Sequence, residues 1–494
     1  MFLSPDLSAA ATAFNEKRLD DVPELLERAV KVTGGDAAHW QGVMNLATKI
    51  GDDDLALVAA TKWRAAAPKD PGAHAAQMYL LGETGAVRNA LAIARKLESD
   101  HPTDARWPLT AGTHLVRIGR EAEAVAALHR AVRRAPNSPI AWEILAGLKT
   151  FTTDDPDLRA LEQAAASVRD PAQAASFAYA LGKACDDLGD FDRAFGYFER
   201  GAAMMLQGRP PRMDGFFAQI AEARAAFPLS RLSAATATQR TERPILVIGV
   251  PRSGTTLLER ILATSPAVTS GGELKMLRLA CLGFTPPSPA RVDAFVARRG
   301  GEREAWDHVG ENYVARLGAR FAKADHVVDK GLVNYLYVGA LAQALPHAKI
   351  IHVRRNPFDV AWSCFRHRFH DGLAWSYNFE SIAAFLRGYA EMCQHWKETL
   401  PDRILTVDFE RLVLESDTET QRIFQFLELE RPADWQAFHQ KSAAVLTSSQ
   451  LQVRRPLNAE GIGAWKRYER HLTPMVEALV RFGLLRKPEP EVPA

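Results

Sequence analysis

The sequence predicts a multidomain protein in which an all-α superhelix of repeats precedes an α/β domain with a mainly parallel sheet. Residues 1–206 are rich in alanine and keep a 34-residue period. From Pro244 onward, short apolar runs alternate with helical segments, which is typical of a parallel sheet covered by helices on both faces. We divide the 494-residue chain into a repeat domain (1–206), a helical connector (207–243), an α/β domain (244–485) and a polar tail (486–494).

Composition and charge argue against several classes of function. The net charge at pH 7 is only +2, so the chain as a whole gives no indication of a nucleic-acid partner. The four cysteines are widely spaced and form no CxxC pair, which argues against a disulfide framework or a zinc site. Residues 1–21 lack a basic start followed by an apolar core, and no stretch approaches the ~18 apolar residues of a membrane span. We therefore expect a cytoplasmic protein without a membrane span or a metal site.

The 34-residue period of the first domain predicts stacked helix pairs. The period is kept by Gly51, Gly85 and Gly119, with Gly189 about two periods later, by Ala56, Ala90, Ala124 and Ala194, and by Pro68, Pro102 and Pro136. Glycine readily ends the first helix of a pair in a left-handed conformation, and proline stops the second helix. We expect four to five pairs, one of them degenerate at 139–172, after a capping helix in residues 1–35.

This repeat pattern resembles tetratricopeptide (TPR) repeats. The resemblance implies a superhelix with a groove that recruits a peptide or protein. An irregular helical bundle is the alternative interpretation of the same residues.

A strand, a glycine-bounded loop and a helix follow one another from Pro244. The apolar run 245–248 leads into Gly249 to Thr256, which reads GVPRSGTT. Such a loop points backbone N–H groups at an anion, and the helix N-terminus adds a partial positive charge. A nucleotide-hydrolysing loop ends in Gly-Lys-[Ser/Thr], but here the cation is Arg252, before the second glycine. The loop therefore favours a nucleotide other than a magnesium-bound triphosphate, and a nucleotide hydrolase or kinase is the alternative.

Two further segments carry groups suited to a phosphorylated nucleotide. Arg355 follows an apolar strand, and Ser363 lies eight residues later in the helix that Asn356-Pro357 starts. We expect Arg355 and Ser363 to converge on one phosphate, the arginine through a charge-assisted fork and the serine through its hydroxyl. The third segment runs from Ser449 to Asn458 and reads SQLQVRRPLN.

Together the three segments resemble the nucleotide-binding motifs of sulfotransferases. The first resembles the 5′-phosphosulfate loop, the second the 3′-phosphate motif, and the third the C-terminal segment of protein-tyrosine sulfotransferases. With the repeats, the combination resembles bacterial TPR-sulfotransferases. The resemblance implies 3′-phosphoadenosine 5′-phosphosulfate (PAPS) as donor, no metal requirement and a P-loop-like sulfotransferase fold. The residues expected to contact PAPS are Arg252, Ser253, Gly254, Thr255, Thr256, Arg355, Ser363, Ser449, Arg455 and Asn458.

Three residues are predicted to act in catalysis. Sulfuryl transfer is an in-line displacement that spreads negative charge over oxygens, which cationic side chains stabilise. Arg252 is expected to contact the leaving group, and Lys330, at the end of a strand, the bridging oxygen. Glu273, in SGGEL, matches the position of the general base in protein-tyrosine sulfotransferases. His352 is a rival base, but its place within a strand favours a core role.

Two positions depart from the family pattern. Phe409 stands where the family often has tyrosine, and Ala464 where a basic residue precedes a tryptophan. We therefore predict a PAPS-dependent sulfotransferase that modifies a hydroxyl of a peptide or protein, with tyrosine as a candidate acceptor. The alternative is a TPR scaffold with a catalytically decayed transferase domain, which would bind a partner but not the nucleotide.

Overall fold

The computed structural model describes residues 4–207, 211–234, 237–238, 241, 243–369, 373–441, 443–447 and 450–485. Its helical first part and its α/β second part confirm the predicted fold class. The predicted polar tail, 486–494, and Ser449 lie outside the described residues. Within the described part of the chain, no helix is both long enough and apolar enough to cross a membrane.

Consecutive helices of the first part pack as pairs, with α9 and α10 as the exception. Helices α1 to α12 are, in order, Pro5–Asn15, Val22–Ala29, Ala37–Ile50, Asp53–Ala66, Pro71–Glu83, Val87–Asp100, Arg106–Arg117, Glu121–Arg134, Pro139–Leu148, Pro156–Ser167, Pro171–Asp187 and Phe191–Leu206. As predicted, glycine ends the first helix of a pair: Gly51 caps α3 with φ +90°, and its N–H donates to the carbonyl of Ala47. Gly85, Gly119 and Gly189 also have positive φ at the corresponding turns.

The prediction for residues 1–35 was wrong. We expected one capping helix, but α1 and α2 form a pair of their own. The chain reverses between them with Lys17 at φ +63°, so this turn has no glycine to mark it. In the degenerate unit, α9 packs mainly against α11 rather than against α10, and the turn between α9 and α10 again has no glycine.

The second part consists of a parallel sheet between helices. Helices α13 to α24 are Asp214–Ala226, Leu229–Leu232, Thr255–Leu262, Met276–Ala280, Pro289–Arg299, Glu302–Arg320, Val338–Ala344, Pro357–Phe365, Phe379–Thr399, Phe409–Leu414, Ser416–Phe426 and Thr473–Arg481. Strands β1 to β5 are Pro244–Ile248, Val268–Ser270, His326–Asp329, Lys349–Arg354 and Ile404–Asp408. Short 3-10 helices cover Leu282–Phe284, Asn334–Leu336, Ala374–Tyr377, Trp435–Gln440, Gln452–Arg454 and Ala464–His471.

In the described part of the chain the sheet has the order β2-β3-β1-β4-β5, with all neighbours parallel. Ile245 pairs with Val328 of β3 on one side and with Lys349 of β4 on the other, which places β1 at the centre. Every residue of β1 is buried, as its apolar run predicted. Strand β2 was not predicted, because three residues are too few to show a period.

The helix pairs lie against the α/β part through apolar and ionic contacts. The rings of Phe195 and Phe198 in α12 lie 6.1 and 6.0 Å from Trp362 in α20. At the other end of the repeat region, Arg316 of α18 forms a 2.6 Å ion pair with Asp52, whose side chain is only 5% exposed. The repeats are therefore packed on the domain that carries the candidate site.

Candidate functional site

The sheet brings the sequence-predicted groups to one edge. Arg252 follows β1, Glu273 follows β2, Lys330 follows β3, Arg355 follows β4 and Phe409 follows β5. All five strands are parallel, so their carboxyl ends face the same side, where open α/β sheets bind ligands.

The loop between β1 and α15 has glycines at positions where its backbone packs closely against neighbouring atoms. A Cβ atom on Gly249 would lie 2.5 Å from Cγ2 of Thr255, and one on Gly254 would lie 2.3 Å from the ring of Phe409. Gly254 has φ +102° and Arg252 has φ +70°, so both are in conformations that expose the loop's N–H groups. The Ser253 hydroxyl is buried without a hydrogen-bond partner in the described part of the chain. The loop therefore offers hydrogen-bonding capacity that the protein itself does not use.

Two of the predicted motifs meet at Arg252. Its Nε donates a 2.9 Å hydrogen bond to Oγ of Ser363 in α20. Its Nη2 donates a 3.0 Å hydrogen bond to Oε1 of Gln452, which belongs to the third motif. The loop, the helix after β4 and the C-terminal segment are thus joined through one guanidinium group.

Arg355 supports the loop from the next strand. Its Nη1 donates to the carbonyl of Arg252 at 3.0 Å, and its Nη2 donates to the carbonyl of Gly461 at 2.5 Å. The guanidinium also lies 4.2 Å above the ring of Phe409, in cation–π geometry. The buried Nε of Arg355 has no partner among the described residues. Phe409, a departure from the family pattern, thus positions Arg355 and Gly254 through its ring.

The electrostatics of this region favour an anion. Burial, together with the neighbouring charges of Arg366 and Arg355, lowers the pKa of Arg252 to about 10. Burial likewise lowers the pKa of Arg355, and Arg366 adds to that effect. The Arg252 guanidinium stays charged at neutral pH, because a pKa of about 10 is well above 7. A bound anion would relieve the repulsion among these cations.

The second cluster of charge lies beyond β2 and β3. The Nζ of Lys330 is 3.2 Å from Oε1 of Glu273 and 3.7 Å from Oε2 of Glu259. The Lys330 side chain is 1% exposed, whereas that of Glu273 is 33% exposed. Glu259, on α15, also accepts hydrogen bonds from Oγ of Ser270 at 2.5 Å and from the N–H of Gly272 at 2.7 Å. A buried carboxylate thus fixes the turn that carries Glu273, while Glu273 itself remains accessible.

His352 lies elsewhere. It pairs in register with Ile248 and Thr406, and its ring lies 5.7 Å from that of Tyr389. Burial lowers the pKa of His352 to about 4, so the ring is neutral at pH 7. The structure therefore places Glu273, rather than His352, beside Lys330.

The predicted groups of the third motif are spread more widely. Arg455 is exposed, and its charge helps to lower the pKa of Lys183 in α11, where burial is the main cause. Asn458 is also exposed and donates to the carbonyl of Pro456 at 3.1 Å. Next to Ala464, the Trp465 ring stacks on Phe358 at 4.5 Å. In this region, then, it is Gln452 that reaches the loop.

The predicted loop residues Thr255 and Thr256 differ in their surroundings. Thr255 begins α15 and is half-buried, whereas Thr256 is buried. The hydroxyl of Thr256 lies 3.1 Å from that of Thr447.

Sequence reasoning missed Glu259 and Gln452. Glu259 had a detectable signal, since it is a carboxylate that directly follows Leu258 and lies two residues before Ile261 on a short helix. Buried carboxylates are rare unless they are paired, so such a position indicates a partner. Gln452 had no local signal, because its contact with Arg252 spans 200 residues. Within the described residues, no group of three or more His, Cys, Asp or Glu side chains is placed to hold a metal ion.

Comparison with known proteins agrees with this geometry. Residues 244–433 match the sulfotransferase family. An uncharacterized protein of Aquifex aeolicus (strain VF5) is 29% identical over 267 residues, which are 51% of this chain and 34% of that protein. The chain thus spans about a third of that relative's length.

Two further relatives have names that state an activity. A putative protein-tyrosine sulfotransferase of Caenorhabditis briggsae is 25% identical over 232 residues, 45% of this chain and 81% of that protein. Protein-tyrosine sulfotransferase 1 of Danio rerio is 24% identical over 247 residues, 45% of this chain and 66% of that protein.

Proposed function

We propose that this chain, whose residues 244–433 form a sulfotransferase-family domain, transfers a sulfuryl group from PAPS to the hydroxyl of a peptide or protein. The observation that carries the proposal is the junction of two motifs at Arg252 and Ser363, at the same edge of the sheet as the Lys330–Glu273 pair. One edge of the sheet then holds both an anion site and a carboxylate that is accessible to an acceptor.

The chemistry of the donor set fits PAPS. Arg252 and Arg355 supply positive charge, and the loop supplies N–H groups that approach closely because Gly249 and Gly254 have no Cβ. The Ser253 hydroxyl and the Arg355 Nε, which have no hydrogen-bond partner among the described residues, are donors available to phosphate or sulfate oxygens. We therefore assign these residues, with Thr255, Thr256 and Ser363, to holding the nucleotide. When bound, PAPS would supply an activated sulfuryl group.

Four side chains of the protein have separate roles in the transfer step. Arg252 supplies positive charge from the loop after β1. Glu273 accepts the proton of the acceptor hydroxyl as general base. Lys330 holds the Glu273 carboxylate at 3.2 Å and places a second positive charge at the end of β3. Glu259 holds the turn at Gly272, so that Glu273 keeps its position.

A peptide or protein acceptor is supported by two features. Two of the relatives carry the name protein-tyrosine sulfotransferase. In addition, Leu332 and Val333, just after Lys330, are 38% and 41% exposed. Exposed apolar side chains beside the candidate site would suit an aromatic ring. The helix pairs, which resemble TPR repeats, would recruit or present this acceptor.

The test of the donor assignment is calorimetric titration with adenosine 3′,5′-bisphosphate. We expect binding in the micromolar range without added metal, and no magnesium-dependent turnover of ATP. Absence of binding to this nucleotide would refute the assignment. Binding also separates this proposal from a decayed transferase domain, which would bind a partner but not the nucleotide.

A further inference from the structure

We propose that the acceptor reaches Glu273 through the interface between the helix pairs and the α/β domain, so that two turns of the repeat region form one wall of the acceptor site. The turns are residues 51–54, which run from the end of α3 into the first residues of α4, and residues 83–86, which run from the last residue of α5 to the residue before α6. This inference rests on the proposed function, because it takes Glu273 as the group that accepts the hydroxyl proton.

The first supporting feature is a cavity that Glu273 borders. It has a volume of about 120 Å³, and Glu273 and Leu274 line it on the catalytic side. Gly51, Asp54 and Glu83 line it from the repeat region. A general base has to come within hydrogen-bond distance of the hydroxyl that it deprotonates. An acceptor that meets Glu273 in this cavity therefore also meets the repeat turns.

A second cavity, of about 260 Å³, adjoins the first. On the catalytic side it is lined by Ser270 and Gly272, and on the repeat side by Thr84 and Gly85. The two cavities share Glu83, Gly271, Arg320 and Leu446 in their walls. Because they share these walls, the two cavities lie side by side along the turn that carries Glu273, which gives an acceptor more than a single point of contact.

Ionic contacts hold the repeat turns in place beside this space. Arg320 of α18 forms a 2.7 Å ion pair with Asp54, and Lys275 forms a 2.9 Å ion pair with Asp53. The Nη1 of Arg278 also donates to the carbonyl of Ile50 at 3.0 Å. The wall from the repeat region is therefore a packed part of the site.

The chemistry of the wall favours a peptide. Its carboxylates face cations in the pairs Asp53–Lys275, Asp54–Arg320, Glu83–Arg117 and Glu273–Lys330. The wall is thus polar but close to neutral, and it offers both hydrogen-bond donors and acceptors. A polypeptide segment needs both kinds of partner, because each residue brings an N–H and a carbonyl group. A lipid chain would require an apolar wall instead.

The test uses full-length protein, PAPS and a library of peptides that each contain one tyrosine between randomised neighbours. Thr84→Trp fills the larger cavity, and we expect it to lower total transfer at least about tenfold. Its affinity for adenosine 3′,5′-bisphosphate should not change. Glu83→Gln should alter which residues are preferred next to the modified tyrosine.

Two matched variants serve as controls. Thr48→Trp changes an exposed threonine that, like Thr84, bonds to the carbonyl four residues earlier at the end of a helix. Glu123→Gln changes a glutamate that pairs with Arg95 outside the linings of both cavities. Both should retain the transfer rate and the sequence preference of the unmodified protein. Equal melting temperatures check that each variant folds, and Glu83→Gln keeps the test valid if Thr84→Trp does not fold.

The outcomes separate the two proposals. Unchanged transfer by Thr84→Trp together with unchanged preference in Glu83→Gln would overturn the location of the acceptor. Nucleotide binding without transfer to any peptide would overturn the peptide acceptor but leave the donor site intact. Failure to bind the nucleotide would overturn the proposed function itself.

Discussion

The Nε of Arg252 lies 2.9 Å from the hydroxyl oxygen of Ser363 and donates a hydrogen bond to it, across 111 residues of sequence. Each residue was predicted to bind one part of a nucleotide, and the structure shows that they also bind each other. The two motifs that were predicted to bind phosphate are therefore joined by a hydrogen bond. A substitution in one motif should therefore alter the position of the side chains in the other.

We predict that Arg252→Ala lowers the affinity for adenosine 3′,5′-bisphosphate about 10- to 100-fold, which corresponds to the loss of a charged hydrogen-bonding group. Arg252→Lys should recover only part of the loss, because one ammonium group cannot reproduce the planar fork that reaches Ser363 and Gln452. Isothermal calorimetry measures both. Arg95→Ala, on an exposed helix surface, is the control. Equal affinities for Arg252→Ala and the unmodified protein would contradict the assignment.

Substitution of the candidate general base should lower the rate of sulfuryl transfer without changing the affinity for the nucleotide. Glu273→Gln keeps the shape of the side chain but cannot accept a proton at neutral pH. We expect transfer to fall at least about 100-fold, with nucleotide affinity within about twofold of the unmodified protein. A sulfation assay and calorimetry on the same preparation test this. If Glu273→Gln retained full activity, another residue would have to act as base.

Glu259 should act as a positioning residue. Its buried carboxylate accepts bonds from Ser270 and Gly272 and lies near Lys330. We expect Glu259→Gln to lower the transfer rate with little change in nucleotide affinity. Unfolding should also become easier by about 1–3 kcal/mol, because a buried ionic hydrogen-bond network is disrupted. Separate steady-state measurements of kcat and KM distinguish a positioning role from a role in nucleotide binding. A urea titration measures the change in the free energy of unfolding.

Phe409 should support Arg355 through its ring. Phe409→Leu removes the cation–π contact at 4.2 Å, so we expect nucleotide affinity to fall by about 3- to 30-fold. Phe409→Tyr keeps the ring and restores the residue that the family often has at this position. Its affinity should equal or exceed that of the unmodified protein. A loss in Phe409→Tyr as large as that in Phe409→Leu would show that the ring is not the relevant feature.

Acid should destabilise the repeat region through His114. This histidine is buried in α7 with both ring nitrogens unpartnered in the described part of the chain, and burial lowers its pKa to about 4. Its folded pKa is below the unfolded value of about 6.5, so the unfolded state binds more protons between these values. Stability is thus unaffected by this group above pH 6.5 and falls as the pH drops toward 4, by up to about 3 kcal/mol.

The measurement is urea unfolding, followed by far-ultraviolet circular dichroism, at pH values from 7 to 4. His114→Leu should lose less stability on acidification than the unmodified protein. His101→Leu, at an exposed position in the preceding pair, should not differ from it. The prediction would be contradicted if the free energy of unfolding fell equally with pH in His114→Leu and in the unmodified protein.

The elements that the sequence predicted correctly have strong local signals. Gly51 ends α3 because a left-handed residue closes that helix, and β1 is buried because it is apolar throughout. The elements that were missed have weak signals: Lys17 turns the chain without glycine, and β2 is three residues long. Periodicity needs several residues to emerge, so short or unusual turns escape it.

By itself, the sequence determined the order of helix pairs, loop, strands and helices, because these depend on spacing and turn chemistry over a few residues. It also placed Arg252, Lys330 and Arg355 at strand ends. Only the tertiary structure decided which groups meet: Gln452 with Arg252, Glu259 with Lys330, and the repeat turns with the cavity at Glu273. Those contacts depend on strand order and on how the repeats pack against the sheet. Strand order and domain packing produce no periodic pattern in the sequence, because the residues that meet are far apart along the chain.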